Sequence, residues 1–271
     1  MRILVVDAFT DRAFAGNPAG VCLLDGSADE TWMQRVAAEM RHAETAFVRP
    51  LADAVWELRW FTPVVEVALC GHATLATAHA LYGTGTVPSS EPIRFRTLHS
   101  GELTVTPGAG GLLEMDFPAQ PAAPVVMPEG LAEALGTEAG WAGRNAQNDL
   151  LVVLEQETAV RKLAPDLDAL AAIDARGVCV TAPAASWSLE PEAEHDFVSR
   201  FFAPRVGVAE DPVTGSAHCM LAPYWAARLG RNALTGQQVS ERGGTVWVTA
   251  RGGRVTLAGR AVTILDGQLQ V

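Results

Sequence analysis

The chain has 271 residues, of which 49% are hydrophobic, and a formal net charge of −11 at pH 7. This length and apolar content are enough for one large hydrophobic core or two medium ones. The acidic charge, the absence of a basic run and the presence of only two tyrosines argue against nucleic acid or an anionic membrane as a partner. No apolar run reaches about eighteen residues, so no membrane-spanning helix is predicted.

Cysteine and histidine spacing gives no sign of a disulfide framework or a metal site. The four cysteines are scattered and form no CxxC pair: Cys22, Cys70, Cys179 and Cys219. This pattern is typical of a reducing cytoplasm, where we place the protein. The apolar part of the opening MRILVVDAFTDRAF is too short for a signal peptide. His72 and His79 are seven residues apart with no third ligand beside them, so neither a metal nor a cofactor is predicted.

The first half of the chain is predicted to be rich in strands. Alternating apolar runs bounded by turn residues predict strands at ILVVDAF, AGVCLL, ETAFVRP, VWELRWF, IRFRTL, LTVTP and LLEMDF. Apolar residues at three- and four-residue spacing predict helices at ADETWMQRVAAEMRH and HATLATAHALYG. The proline-rich PAQPAAPVVMP then predicts a linker over residues 118–128, because proline removes backbone donors and fixes φ.

The second half has a similar composition of elements. Helices are predicted at GLAEALG and CMLAPYWAARLG, and strands at DLLVVLE, GVCVTAP, TVWVTA, RVTLAG and AVTILD. We therefore expect an α+β protein with one domain over residues 1–117 and a second over 129–259. The sequence does not decide which of the two domains contains the last strand, about residues 260–271.

The two halves also match each other in sequence. RWFTPVVEVA at 59–68 aligns without a gap onto RFFAPRVGVA at 200–209, with six of ten positions identical. A three-residue insertion placed after this alignment brings Gly71 opposite Gly215 and His72 opposite Ser216. A repeat period near half the chain indicates the duplication of one domain.

The duplicated segment predicts a site for a small anion. In each half a strand ends, a glycine turns the backbone and a helix starts, and helix starts bind anions through unpaired N–H groups. We expect the two starts to face each other across a cleft. Glu44 lies at the mouth of a strand among small and apolar residues, where partial desolvation raises a carboxyl pKa and makes it a proton donor and acceptor. Asp211 offers a second carboxylate near the other glycine turn.

Four segments in this order resemble the PhzF-like phenazine biosynthesis family: GNPAGV at 16–21, AETAFV at 43–48, FTPVVEVALCGHAT at 61–74 and EDPVTGSAH at 210–218. The resemblance implies two duplicated diaminopimelate epimerase-like domains, each with a curled, mostly antiparallel sheet around a central helix. It also implies that the last strand returns to the first domain and that the protein is a homodimer.

The resemblance assigns roles to seven residues. Glu44 would be the proton shuttle, with His72 and Asp211 as hydrogen-bonding and relay partners. Ser216 and the N–H groups around Gly71 and Gly215 would bind a carboxylate, and Asn17 would line the same cleft. The best-known member of this family isomerises trans-2,3-dihydro-3-hydroxyanthranilate without a cofactor. We therefore expect a cofactor-independent isomerase of a small carboxylate.

Two alternatives stay open at this point. One is an epimerase or racemase of an amino or hydroxy acid, which needs acid–base groups on both faces of a stereocentre. Related two-thiol enzymes place a cysteine before each glycine, whereas this chain has Cys70 before Gly71 but Thr214 before Gly215, which disfavours that chemistry. The other alternative is a non-catalytic protein that binds a small ligand. The roles of Cys70 and Arg242 are not assigned by the sequence.

Overall fold

The computed structural model describes residues 1–185 and 195–270, and it divides the chain into two compact units. Unit 1 consists of Met1–Asp116 and Ala258–Val271, and unit 2 of Phe117–Leu257. Within the described residues, no helix is long and apolar enough to cross a membrane.

Unit 1 contains two helices, α1 (Glu30–Met40) and α2 (Gly71–Gly83), and a curled sheet. Its strands are β1 (Arg2–Ala8), β2 (Asn17–Leu23), β3 (Glu44–Pro50), β4 (Val55–Phe61), β5 (Glu66–Val67), β6 (Ile93–Arg96), β7 (Glu102–Pro107) and β8 (Leu113–Pro118), the last of which ends in unit 2. The last strand of the chain, β18 (Ala261–Gln268), also belongs to unit 1 and pairs antiparallel with β1. Helix α2 packs on β1, β2 and β3 and is buried along most of its length, as a central helix must be.

Among its described residues, unit 2 contains the α-helices α3 (Leu131–Leu135), α4 (Glu157–Arg161), α5 (Leu167–Ala172) and α6 (Gly215–Leu229). Its strands are β9 (Ala123–Pro124), β10 (Trp141–Arg144), β11 (Asp149–Val153), β12 (Gly177–Pro183), β13 (Phe197–Ala203), β14 (Val208–Asp211), β15 (Ala233–Gln238), β16 (Gly244–Arg251) and β17 (Arg254–Gly259), which ends in unit 1. Helix α6 is the long buried helix of this unit and packs on β15 and β16.

The strands of the two units pair in the same pattern. In unit 1, β1 and β2 are antiparallel, β2 and β3 parallel, β3 and β4 antiparallel, and β4 is followed by antiparallel β5 and parallel β6. Strands β10 to β15 of unit 2 repeat each of these relations in the same order. The α+β fold with mostly antiparallel, curled sheets is confirmed, and the shared pairing is what duplication of one domain produces.

The segment 118–128, expected to be a linker, makes backbone contacts within unit 2. Its strand β9 pairs with β10, and the Gln120 N–H donates to the carbonyl of Cys219 in α6. That carbonyl lies four residues before Pro223, which has no N–H to offer it. The segment thus supplies a hydrogen bond that the proline removes from the helix.

Candidate functional site

The approach to each central helix is fixed by a partly buried ion pair. Arg59 of β4 contacts both carboxylate oxygens of Glu66 in β5, at 2.7 and 2.6 Å. Arg200 of β13 contacts both carboxylate oxygens of Glu210 in β14, at 2.7 and 2.8 Å. Such two-point contacts fix the geometry of the hairpin as well as its charge balance. Each glutamate is followed five residues later by the glycine that starts the helix.

The strand pairing places the three-residue insertion of the second repeat earlier in the chain than the sequence alignment does. Trp60 pairs with Val67, whereas its counterpart Phe201 pairs with Asp211, so Asp211 is the equivalent of Val67. The ungapped alignment of residues 66–68 with 207–209 is therefore wrong. The extra residues belong to the turn at Pro204–Val206, which forms a 3-10 helix. The expected equivalences of Gly71 with Gly215 and of His72 with Ser216 are retained.

In unit 1 the structure brings Asn17, Glu44 and His72 together. Strands β2 and β3 are parallel neighbours, so their first residues, Asn17 and Glu44, lie at the same edge of the sheet. His72 is the second residue of α2, and Gly71 is the first. The His72 Nε2 lies 3.2 Å from a Glu44 carboxylate oxygen, and its Nδ1 lies 3.2 Å from the Asn17 side-chain nitrogen. Cys70 Sγ is 3.5 Å from the same Nδ1.

The protonation state of His72 follows from its burial. Removal from water disfavours the charged ring and lowers the pKa of His72 to about 3, so the imidazole is neutral at pH 7. The Asn17 amide nitrogen can only donate, which leaves the His72 Nδ1 as acceptor and puts the ring proton on Nε2. The Nε2–H then donates to Glu44, whose side chain is one fifth exposed. The arrangement holds one carboxylate in a fixed place next to a neutral donor.

In unit 2 the structure holds Asp211 through the turn that precedes α6. The Thr214 hydroxyl donates to the Asp211 carboxylate at 2.6 Å. The buried side chain of Gln238 accepts from the Thr214 N–H at 2.9 Å and donates to the Asp211 carbonyl at 2.7 Å. Gln238 was not found by sequence reasoning, because it lies on β15 and no local motif marks it.

Ser216, in the first turn of α6, has an arginine beside it that the sequence analysis also missed. Arg176 lies 3.4 Å from the Ser216 hydroxyl and 2.5 Å from the carboxylate of Asp149, a fully buried side chain. The guanidinium also lies over the Phe201 ring, 5.8 Å from its centroid. The side chain of Arg176 is 39% exposed, so part of the guanidinium faces solvent next to the start of the helix.

Comparison of the strand registers in the two units shows how Arg176 could have been found from the sequence. Thr45 pairs with Phe61, and Val178 pairs with Phe202, so Gly177 occupies in unit 2 the place of Glu44 in unit 1. Extending the internal alignment upstream would have set Arg176 directly before the Glu44 counterpart. A side chain at Gly177 is excluded because a Cβ there would come within 2.2 Å of the Phe201 ring. Unit 2 thus has no second copy of the Glu44 carboxylate.

The sequence profile described as "Phenazine biosynthesis-like protein" matches residues 6–267. A protein from Halalkalibacterium halodurans named an uncharacterized isomerase is 47% identical over 98% of this chain and 97% of its own. Another uncharacterized isomerase, from Pseudomonas aeruginosa, is 48% identical over 98% of this chain and 97% of its own. A crystal structure of a PhzF-family phenazine biosynthesis protein from Enterococcus faecalis has a TM-score of 0.92 at 39% identity, and the match covers 100% of this chain and 99% of that one.

The chain belongs to the phenazine biosynthesis-like (PhzF) family, as the resemblance of its motifs predicts. It is an enzyme of the isomerase class. A probable proline racemase from Agrobacterium radiobacter shares the fold alone, with a TM-score of 0.63 at 12% identity. That likeness confirms the epimerase-like architecture.

Proposed function

We propose that this isomerase moves a proton between two carbons of a small carboxylate, similar to trans-2,3-dihydro-3-hydroxyanthranilate isomerase, and that it needs no cofactor. The observation that carries the proposal is the Glu44 carboxylate, which lies 3.2 Å from the Nε2 of a neutral imidazole. A carboxylate of this kind can take a proton from one carbon and return it to another. Gly177 stands at the equivalent position of unit 2, so the acid–base chemistry is one-sided.

The same asymmetry disfavours an epimerase with a pair of thiols. Cys70 precedes Gly71, but its counterpart Thr214 has a hydroxyl that donates to Asp211. A threonine hydroxyl is far too weak an acid or base to replace a thiol. In the proposed mechanism His72 and Asp211 are hydrogen-bonding and relay partners, and Asn17 fixes the His72 ring.

Charge stabilisation is the second part of the proposal. Removing a proton next to a carbonyl or alkene leaves an anion, which preset donors stabilise; the loss of one such donor typically slows a reaction by about 10²–10³-fold. The backbone N–H groups around Gly71 and Gly215, the Ser216 hydroxyl and the Arg176 guanidinium are the donors we assign to the substrate's carboxylate. The expected homodimer and cytoplasmic location stay predictions.

The proposal is tested by incubating the protein in D2O with a panel of small carboxylates that includes trans-2,3-dihydro-3-hydroxyanthranilate. We expect one substrate to give a double-bond isomer, with deuterium at a carbon that differs from the one deprotonated, as read by NMR. Inversion at a stereocentre would instead favour the epimerase. Binding of a ligand with neither isomerisation nor deuterium uptake would favour a non-catalytic binding protein.

Arg176 can be tested against its structural role as the partner of Asp149. Asp149→Asn alone keeps Arg176 while removing the buried charge, and the double variant Asp149→Asn, Arg176→Met then removes the guanidinium without leaving a buried carboxylate unpaired. Because a hydrogen bond to a charged group contributes about 1.5–3 kcal/mol, we expect KM to rise about 10- to 100-fold from the single to the double variant, with a smaller change in kcat. Equal KM values in these two variants would remove Arg176 from the substrate site.

A further inference from the structure

Three potential metal ligands meet at the start of α2. The carboxylate of Glu44, the thiol of Cys70 and the imidazole of His72 each offer one ligand atom, and these atoms lie within 4.8 Å of one another. The His72 Nε2 is 3.2 Å from the Glu44 oxygen and 3.9 Å from the Cys70 sulfur. His79, the other histidine of α2, takes no part in this cluster, because its Nε2 lies 3.1 Å from the Thr263 hydroxyl.

These separations are close to those around a tetrahedral zinc ion. With bonds of about 2.0 Å to nitrogen and oxygen and about 2.3 Å to sulfur, tetrahedral ligands lie about 3.3 Å apart for N and O and about 3.6 Å for N and S. The two separations from the His72 Nε2, 3.2 Å to Glu44 and 3.9 Å to Cys70, are within a few tenths of an ångström of those values. Asn17 can support the ring, because turning its amide over presents an oxygen to a protonated Nδ1.

The chemistry of the ligand set selects the kind of cation. A thiolate, an imidazole and a carboxylate together suit a borderline-soft ion such as Zn²⁺ and not Mg²⁺ or Ca²⁺, which prefer oxygen ligands alone. Unit 2 cannot repeat the site, since Thr214, Ser216 and Gly177 stand at the equivalent positions. One ion per chain is therefore expected.

We propose that Glu44, Cys70 and His72 bind one Zn²⁺-class cation, and that the bound ion blocks proton transfer by Glu44. On binding, Cys70 releases its thiol proton to solvent, and the His72 ring proton moves from Nε2 to Nδ1 by exchange with solvent. The His72 Nε2 and Glu44 then each give a lone pair, with no change of oxidation state. The fourth position is left to water or a substrate oxygen. The binding claim stands on geometry alone, whereas the inhibition claim rests on the proposed function.

Binding is tested with Co²⁺, titrated into the full chain after treatment with a chelator. We expect one equivalent to give tetrahedral d–d bands and a thiolate-to-cobalt charge-transfer band, which Zn²⁺ abolishes and excess Mg²⁺ does not. Cys70→Ala should lose the charge-transfer band. Cys219→Ala, a change at another buried cysteine, should keep it. Absence of the band at one equivalent, or its survival in Cys70→Ala, would overturn the site.

Inhibition is tested separately, with the substrate found in D2O. One equivalent of Zn²⁺ should slow turnover at least about tenfold, in line with the sensitivity of catalysis to a displaced acid–base group. In Cys70→Ala the ratio of rates with and without Zn²⁺ should stay near one, whatever the absolute rate. Full activity of the cobalt-loaded protein would overturn the inhibition claim. A cobalt spectrum from a protein that isomerises no substrate would support the metal site and count against the proposed function.

Discussion

Replacing Glu44 by glutamine is expected to lower kcat by about 10²–10⁴-fold while leaving KM within a few-fold of its original value. Glutamine has nearly the same size, and its carbonyl oxygen can still accept from the His72 Nε2–H, which lies 3.2 Å from the present carboxylate. It cannot accept a proton from carbon and return it. Steady-state kinetics on the substrate identified in D2O would measure the effect.

The control for this change is Glu57→Gln in the same unit. Glu57 is a partly exposed carboxylate on β4 that pairs with Arg49 at 2.5 Å, so the substitution also removes one charge from a paired glutamate. A surface ion pair contributes only about 0–1 kcal/mol, and we expect turnover to stay within about twofold. Near-normal turnover in Glu44→Gln would rule out Glu44 as the proton carrier.

Acid is expected to destabilise the protein well above the pH at which its carboxylates are protonated. Burial lowers the pKa of His218 to about 4 and that of His72 to about 3, compared with about 6.5 for an unfolded histidine. Both folded-state pKa values lie below the unfolded value, so the unfolded chain binds more protons in this range. The stabilisation is complete above about pH 6.5 and is lost as the pH falls toward 4, by about 1.4 kcal/mol per pH unit for each histidine.

His218→Gln isolates one of these contributions. His218 lies inside α6 and its Nδ1–H donates to the Thr214 carbonyl at 2.8 Å, a bond that a glutamine N–H can replace. In urea unfolding between pH 6 and 4.5, the slope of the unfolding free energy against pH should fall by about 1.4 kcal/mol per unit. NMR of the unmodified protein gives an independent reading. A His218 ring resonance that titrates near pH 6.5 would contradict the prediction.

The helices and long strands of unit 1 could be predicted because local patterns determine them. In unit 2 several elements were not predicted: β10, β13, β15, α4 and α5. Helix α2 follows from its apolar spacing and the glycine that starts it, and the duplication follows from the repeated RWFTP and RFFAP segments. The position of the insertion could not be predicted, because a run of identities favours one ungapped register and the pairing of Phe201 with Asp211 selects another. Only the hairpin shows which residues face each other.

Candidate-site residues that lie in sequence motifs could be predicted from the sequence. Residues that tertiary packing alone brings to the site could not. Glu44, His72, Asp211 and Ser216 lie in segments that resemble a known family. The contact between Asn17 and His72, 55 residues apart, and that between Arg176 and Ser216, 40 residues apart, depend on how parallel strands and the central helices meet. Cys70 is adjacent to Gly71 in sequence, but its distance from Glu44 is set by the fold.

The constant spacing from Glu66 to Gly71 and from Glu210 to Gly215 has a consequence for the evolution and redesign of this scaffold. Because the Arg59 and Arg200 ion pairs anchor both hairpins, added length is absorbed in the turn at Pro204–Val206 and does not shift the first residues of the helix. The residues that flank each glycine can then diverge, cysteine and histidine in one copy and threonine and serine in the other. One inherited frame would in this way carry the proposed proton-transfer group in one copy and the proposed anion-binding group in the other.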